Sequence, residues 1–284
     1  MIERLEHRRL LASVGIVNGI LRIEGTNGDD QIAVARFGRN QAQVLDSGTV
    51  IFTFGLNEIR GISYFGAAGN DLITIGRVNV RSYLNGGSGN DSLSAAQGDG
   101  NDTLLGGDGD DYLFGGAQND LLTGGTGSDT LLGGTGNDLM NILSGASDDD
   151  LVSGGEGTDT VSAADYPDPV ILSIGSTLFP DPTLDDVILG DVESVIGSAF
   201  NDNIIVISGK NITIDGRAGN DTITTGRGND TIIGGTGTDL LNSAGGNDVF
   251  DTLDGQIDTL FGGTGSDIAY ADASDILTSI SLVD

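Results

Sequence analysis

The sequence predicts an all-β protein, a parallel β-roll or β-solenoid with a stack of loops on each side. Three observations predict it. Aspartate returns every nine residues from Asp102 through Asp111, Asp120 and Asp129 to Asp138. A glycine pair opens each of the last four units: Gly115 with Gly116, for example, precedes Asp120. An apolar residue stands two places after each aspartate: Leu104, Leu113, Leu122, Leu131 and Met140.

Placing the aspartate at the sixth slot of a nine-residue unit extends the pattern. One series runs Asp71, Asp91, Asp102, Asp111, Asp120, Asp129, Asp138, Asp150 and Asp159. A second runs Asp202, Asp221, Asp230, Asp239, Asp248, Asp258 and Asp267, with Asp30 as an outlier. Slot eight is apolar in both, continuing through Val152, Val161, Ile223, Ile232, Leu241 and Phe250. One apolar residue in nine cannot build an amphipathic helix, which needs three or four per two turns. It can line a narrow core if each unit is a turn plus a short strand, with slots seven and nine facing outward. Two units then make one coil, and coils stack as parallel strands about 4.8 Å apart. The loops of Gln97, Gly115 and Gly133 fall in one stack, and those of Gly106 and Gly124 in the other.

The remaining segments follow in order. Residues 1–19 read as an export-like or flexible segment: Arg8 and Arg9 precede a mostly apolar stretch, as in a secretory signal, although Asn18 interrupts it. Residues 20–65 read as short strands with turns near Gly38 and Gly48, a capping region of the kind solenoids need. Residues 66–162 form the first repeat block. Residues 163–196 hold all four prolines and no full repeat, and read as an irregular spacer. Residues 197–284 form the second block.

Composition narrows the chemistry. The net charge is −30, and 36 of the 42 acidic residues are Asp. Asp suits short tight loops. Between Arg81 and Lys210 there is no Lys or Arg, against 20 Asp and 2 Glu. Nucleic acid, which needs a basic surface, is thereby a poor partner, and cations are the natural one. Cysteine is absent, and no apolar run reaches the length of a membrane span. The one histidine, His7, lies outside the repeats, so Ser–His or Cys–His catalysis has no residues to use and a non-enzymatic role is expected.

Calcium is a hard cation that takes six to eight oxygens from carboxylates and carbonyls. Each slot-six Asp adds an anionic oxygen, and glycines let carbonyls turn inward. One loop holds too few ligands, so the loop stacked above must supply the rest. Six units match G-G-x-G-x-D-x-U-x, starting at Gly86, Gly106, Gly124, Gly133, Gly154 and Gly234. This array resembles the RTX (repeats-in-toxin) family of calcium-binding nonapeptides. The resemblance implies Ca2+ sites between loops two units apart. Carried onto this chain, they pair Asp102 with Asp120, Asp111 with Asp129, Asp120 with Asp138, Asp221 with Asp239, and Asp230 with Asp248. Asp71, Asp91, Asp150, Asp159 and Asp267 extend the set. The cages are shaped by Gly106, Gly107, Gly109, Gly124, Gly125, Gly127, Gly133, Gly134, Gly136, Gly234, Gly235 and Gly237. Slot-five Asn, such as Asn119 and Asn137, is expected to support the turn rather than the metal. Residues Leu5–Leu11 also resemble the LEPRxLL motif of exported bacterial proteins, with His7 in place of its proline.

Two carboxylates about 5 Å apart repel by about 3 kcal/mol at an effective dielectric of 20. The repeats are therefore expected to fold only when calcium binds. Together with the resemblance, this predicts a bacterial protein that is secreted or held at the cell surface, where calcium is plentiful, in a structural or adhesive role. Cell-surface components or polysaccharide are the candidate partners. The alternative is a calcium-dependent carbohydrate-binding module using Tyr64, Tyr83, Tyr112, Phe114, Phe261 and Tyr270, most of which read as outer-face residues. A polysaccharide-modifying enzyme using Lys210, Arg217 or Arg227 is a weaker one. Ice binding through Thr126 and Thr135 fails, because Asp108 and Ala117 break the ladder one coil earlier.

Overall fold

A computed structural model describes residues 13–96, 98, 100–143, 148–175 and 186–283. Residues 1–12 of the export-like segment 1–19, with the LEPRxLL-like motif, the slot-one residue Gln97, and Pro180 and Pro182 lie outside the described residues. The described chain is almost entirely β, in one 14-stranded and one 16-stranded sheet, with a single 3-10 turn at Leu56–Glu58 and no α-helix. No helix among the described residues is long and apolar enough to cross a membrane.

Successive repeat strands alternate between the two sheets. Thr103–Asp108 and Leu121–Thr126 pair in parallel in one sheet; Tyr112–Ala117 and Thr130–Gly136 pair in the other. Like slots sit opposite like slots: Leu104 faces Leu122, and Leu113 faces Leu131. Where the spacing breaks, the register does not. Leu84 still pairs with Leu104 and Leu131 with Val152, so the extra residues are absorbed in loops. One buried side chain per coil side is the reason. A one-residue slip would move it to the outer face.

Strand alternation puts three residues of each strand inward. In Tyr112–Ala117 and the residue before it, these are Asp111, Leu113 and Gly115, all buried, while Tyr112 and Phe114 face outward. The inner face is thus a carboxylate, one hydrophobe and a glycine. The hydrophobes form one unbroken core from Leu21 and Ile32 to Leu260 and Ala269. Tyr64 belongs to that core and is fully buried, which corrects its reading as an outer-face aromatic. Its register partner is Leu84, so it fills a slot-eight position.

The N-terminal end of the stack and the spacer differ from the regular coils. At the N-terminal end, Ser13–Val17 pairs antiparallel with Ile20–Glu24. Gln31–Phe37, Gln41–Asp46 and Thr49–Gly55 form an antiparallel meander. Ile20–Glu24 and Gln31–Phe37 then start the parallel sheets by pairing with Gly61–Ala68 and Leu72–Ile75. In the region read as a spacer, Ile171–Ile174 and Asp186–Ile188 continue the 16-stranded sheet out of chain order. Asp186–Ile188 lies between Leu151–Gly157 and Ile171–Ile174. The sheet therefore runs from one block into the other.

Candidate metal centre

Two ladders of slot-six carboxylates run along the solenoid, one at each turn between the sheets. In each, the Oδ1 of one aspartate accepts the backbone N–H of the slot-six residue one coil earlier. One ladder links Asp102 to Asp120, Asp120 to Asp138, and Asp138 to Asp159, at 2.8–2.9 Å. The other links Asp71 to Asp91, Asp91 to Asp111, Asp111 to Asp129, and Asp129 to Asp150, at 2.7–2.8 Å. In the second block Asp221 meets Asp239, and Asp230 meets Asp248, in the same way. All five expected pairs are thus adjoining coils. All fourteen expected aspartates are buried.

The second carboxylate oxygen has no such partner in most coils. Oδ2 of Asp91, Asp111, Asp120, Asp129, Asp138, Asp159, Asp221, Asp230, Asp239, Asp248 and Asp267 is buried and accepts no hydrogen bond. The same holds for Asp258, a repeat position not expected among the ligands. A buried carboxylate without a compensating charge is costly by several kcal/mol. Among the described residues the ion pairs are Arg22–Glu24 and Lys210–Glu193, so no basic side chain neutralises these oxygens.

The slot-one glycines mark where the oxygens converge. A Cβ placed on Gly106 would collide with Asp111 Oδ2 and lie 2.6 Å from the carbonyl oxygen of Gly124, one coil on. On Gly115 it would lie 2.5 Å from Asp120 Oδ2 and 2.9 Å from the Gly133 carbonyl. Carboxylate and carbonyl thus surround a space that only glycine leaves open. Among the described residues no three acidic or imidazole side chains gather as an all-side-chain metal cluster. The donor set is one hard anionic oxygen with carbonyls from adjoining loops, and that set fits calcium. The side chains that would hold it are the aspartates with a free Oδ2. The main-chain oxygens are those of slot-one glycines such as Gly124, Gly133 and Gly234.

Slot five builds a separate, outer ladder. Asn119 Oδ1 accepts the Asn137 N–H, and Asn137 Oδ1 accepts the Thr158 N–H, both at 3.0 Å. Asn201, Asn220 and Thr238 repeat this in the second block. The slot-five side chains therefore brace the turn, and their exposed positions keep them away from the inner oxygens.

Burial pushes the inner carboxylates above their usual range. Asp111, Asp120 and Asp221 rise to about 7 and Asp129 to about 8. Loss of solvent is the largest cause. The backbone N–H pulls down, and neighbouring carboxylates push further up.

Slots two and four turn through positive φ, as at Gly107 (124°) and Gly109 (118°). Among the described residues, three with side chains take this conformation in these slots: Ala67 and Arg217 at slot two, and Gln118 at slot four with φ 78°. The left-handed conformation costs an L-residue about 1–2 kcal/mol. Gln118→Gly is expected to stabilise the calcium-bound protein by a net ~1 kcal/mol, after the extra freedom glycine gains when unfolded. The calcium midpoint of folding should fall with it. An unchanged or higher midpoint by circular dichroism would contradict this backbone reading.

The ladders also contain residues that the repeat pattern passed over. Asp186 accepts the Asp150 N–H, and Glu193 accepts the Asp159 N–H, at 2.9 and 3.0 Å. Each is followed two places later by a core residue, Ile188 or Val195. That D-x-I or E-x-V pattern was the available signal. The missing glycines hid it.

A search of the curated proteins finds no match. The family described as RTX calcium-binding nonapeptide repeat matches residues 82–100, 98–122, 108–140, 135–165, 215–250 and 251–275. These segments cover half of the chain and carry the eleven expected aspartates with a buried Oδ2 that accepts no hydrogen bond, and Asp258 as well. The ladders and their glycine-lined oxygen cages are the structural form of that repeat, and the chain belongs to the RTX calcium-binding nonapeptide repeat family.

Proposed function

We propose that this calcium-binding β-roll is exported unfolded and sets into a rigid, non-enzymatic scaffold when it meets extracellular calcium, with a structural or adhesive role at the bacterial surface. One observation carries the reading: a dozen buried carboxylate oxygens accept no hydrogen bond, and among the described residues no basic side chain serves them. Such a chain depends on an external cation for its folded state. Weak extracellular calcium sites work at about 10⁻⁴–10⁻³ M, far above cytosolic calcium. The individual aspartates named above are the proposed ligands. The midpoint of calcium-induced β-structure, followed by circular dichroism, should therefore fall within that millimolar-range window. A sub-micromolar midpoint would allow folding inside the cell and would overturn the export logic.

A calcium-dependent carbohydrate-binding module is the second reading, favoured by one feature. On the outer face of the 14-stranded sheet, the Phe65 and Tyr83 rings pack with centroids 5.6 Å apart. The Arg22 guanidinium lies 5.3 Å from the Phe65 centroid. Aromatic faces beside a fixed cation suit a sugar ring carrying acid groups. Binding on a glycan array in calcium, lost on Tyr83→Ala, would favour the module; no binding leaves the scaffold.

A further inference from the structure

The ladders do not begin with a free oxygen. One coil in from the N-terminal edge, after Ile23, the core slot that holds Leu84, Leu104 and Leu122 further along is filled by Tyr64. The Tyr64 hydroxyl donates to Asp71 Oδ2 at 2.8 Å. A Cβ placed on Gly25 shows what else surrounds that hydroxyl: Asp30 Oδ2 at 2.5 Å, the Gly66 carbonyl at 2.8 Å and Tyr64 Oη at 2.9 Å. Carboxylate, next-coil carbonyl and slot-one glycine form the same cage as at Gly106 and Gly115. Here a phenol oxygen stands inside it. Asp30 Oδ2 has a further donor in the Thr26 N–H, at 2.7 Å. Neither Asp30 nor Asp71 is left with an unsatisfied oxygen.

The second block opens in the same manner. The Ser198 N–H and hydroxyl both donate to Asp202, at 2.7 and 2.6 Å. The Lys210 ammonium lies 3.2 Å from Glu193. Protein donors thus serve the carboxylates where each array starts, and free oxygens appear only further along.

From this geometry we infer that Tyr64 is a built-in substitute for calcium, and that its hydroxyl closes the Asp30–Asp71 cage to metal and lets the N-terminal coils fold without it. The N-terminal end then serves as a preformed edge on which the calcium-dependent coils assemble. The neutral hydroxyl donates its one hydrogen bond to Asp71 Oδ2 and the Thr26 N–H serves Asp30 Oδ2, so both carboxylates are satisfied without added positive charge and without calcium in solution. The surrounding core is also thicker than in the repeats. Ile32, Val34, Val44, Phe54 and Ile62, from the strands at this end, are all buried in the same core as Tyr64. This inference rests on the calcium-dependent folding proposed above, and it also assigns Asp71 a role different from that of the metal ligands that follow it.

Hydrogen exchange on the full chain, with calcium and in excess EDTA, tests it. In EDTA the Gly61–Ala68 amides should stay protected while Thr103–Asp108 and Leu121–Thr126 exchange freely. Tyr64→Leu restores the repeat's own core residue and empties the cage. Gly61–Ala68 should then need calcium for protection, and the chain should bind about one more calcium ion than the wild type by calorimetry. Tyr64→Phe removes the donor but keeps the ring in place. It should lose protection in EDTA without gaining an ion, which keeps the idea testable if the leucine variant fails to fold. Equal exchange of Gly61–Ala68 and Thr103–Asp108 in wild-type EDTA samples overturns the inference. An unchanged calcium count in Tyr64→Leu overturns it as well. Protection of every segment in EDTA refutes calcium-dependent folding instead, and the calcium count of Tyr64→Leu then decides the role of Tyr64 on its own.

Discussion

Stripping calcium with EDTA at neutral pH is expected to abolish most of the β-structure seen by circular dichroism, and millimolar calcium should restore it. The argument is one of opposing sums. Each coil buries two slot-eight side chains, and a fully buried Leu or Val contributes about 1.5–3 kcal/mol. Against this stand the ordering of some eighteen residues, at about 1–2 kcal/mol each for the backbone alone, and two buried carboxylates. Backbone hydrogen bonds between coils narrow the gap, but they also form only when the coils stack. The carboxylates decide the outcome. Their Oδ1 atoms gain one N–H each, while their Oδ2 atoms lose water and gain no protein donor. Bound calcium supplies the missing positive charge, and its binding free energy becomes folding free energy. Identical spectra in EDTA and calcium would show that the thin core suffices, and would remove the ground for calcium-driven folding.

Acid should partly replace calcium. In EDTA the protein is expected to be largely unfolded at about pH 8 and to gain β-structure as the pH falls toward about 5. The sign follows from the direction of the shifts. Asp111, Asp120, Asp129 and Asp221 bind protons more tightly when folded, with values of about 7 to 8 against 3.8. Between those limits the folded state holds more protons than the unfolded one, so stability falls as pH rises. The favourable contribution is complete below the ordinary carboxylate range and is lost on passing through about 7 to 8. Each pH unit crossed is worth about 1.4 kcal/mol for one carboxylate. Neighbours on one ladder titrate together, so their effects do not simply add. With calcium present the order reverses, since protons compete for the ligand oxygens and the calcium midpoint should rise in acid. Asp129→Asn, a neutral isostere, should stabilise the metal-free protein at pH 8 and weaken calcium binding. A metal-free spectrum that does not change between pH 8 and pH 5 would count against buried, uncompensated carboxylates.

Much of the fold was legible in the chain because a repeat multiplies a weak signal. A single D-x-U triplet means little, but in-phase runs such as Asp102–Asp138 and Asp221–Asp248 define a strand, an inner face and a coil. The inner positions Asp111, Leu113 and Gly115 follow from alternation alone. The pairing of Asp111 with Asp129 follows from two units per coil. The strained Gln118 follows from the slot it occupies. Where the pattern lapsed, legibility lapsed with it. Asp186 and Glu193 lie on the ladders without any glycine pair, held there by register with Asp150 and Asp159. Tyr64 looked like a surface aromatic because nothing in "GISYFGAAGND" marks it as slot eight until its partner Leu84 is known.

The period, the two-sided solenoid, the thin core and the calcium chemistry could be read from the residues alone, because each is a property of one unit repeated. Which carboxylates keep a free oxygen, and which are satisfied by Tyr64, Thr26 or Ser198, emerges from the folded coils. So does the way Ile171–Ile174 and Asp186–Ile188 carry the sheet from one block to the next. The physical reason is that these outcomes depend on which groups become neighbours across a coil. A nine-residue period states that distance for a regular unit, but it does not state it for the irregular ones, where inserted residues change the count while the core side chain holds the register.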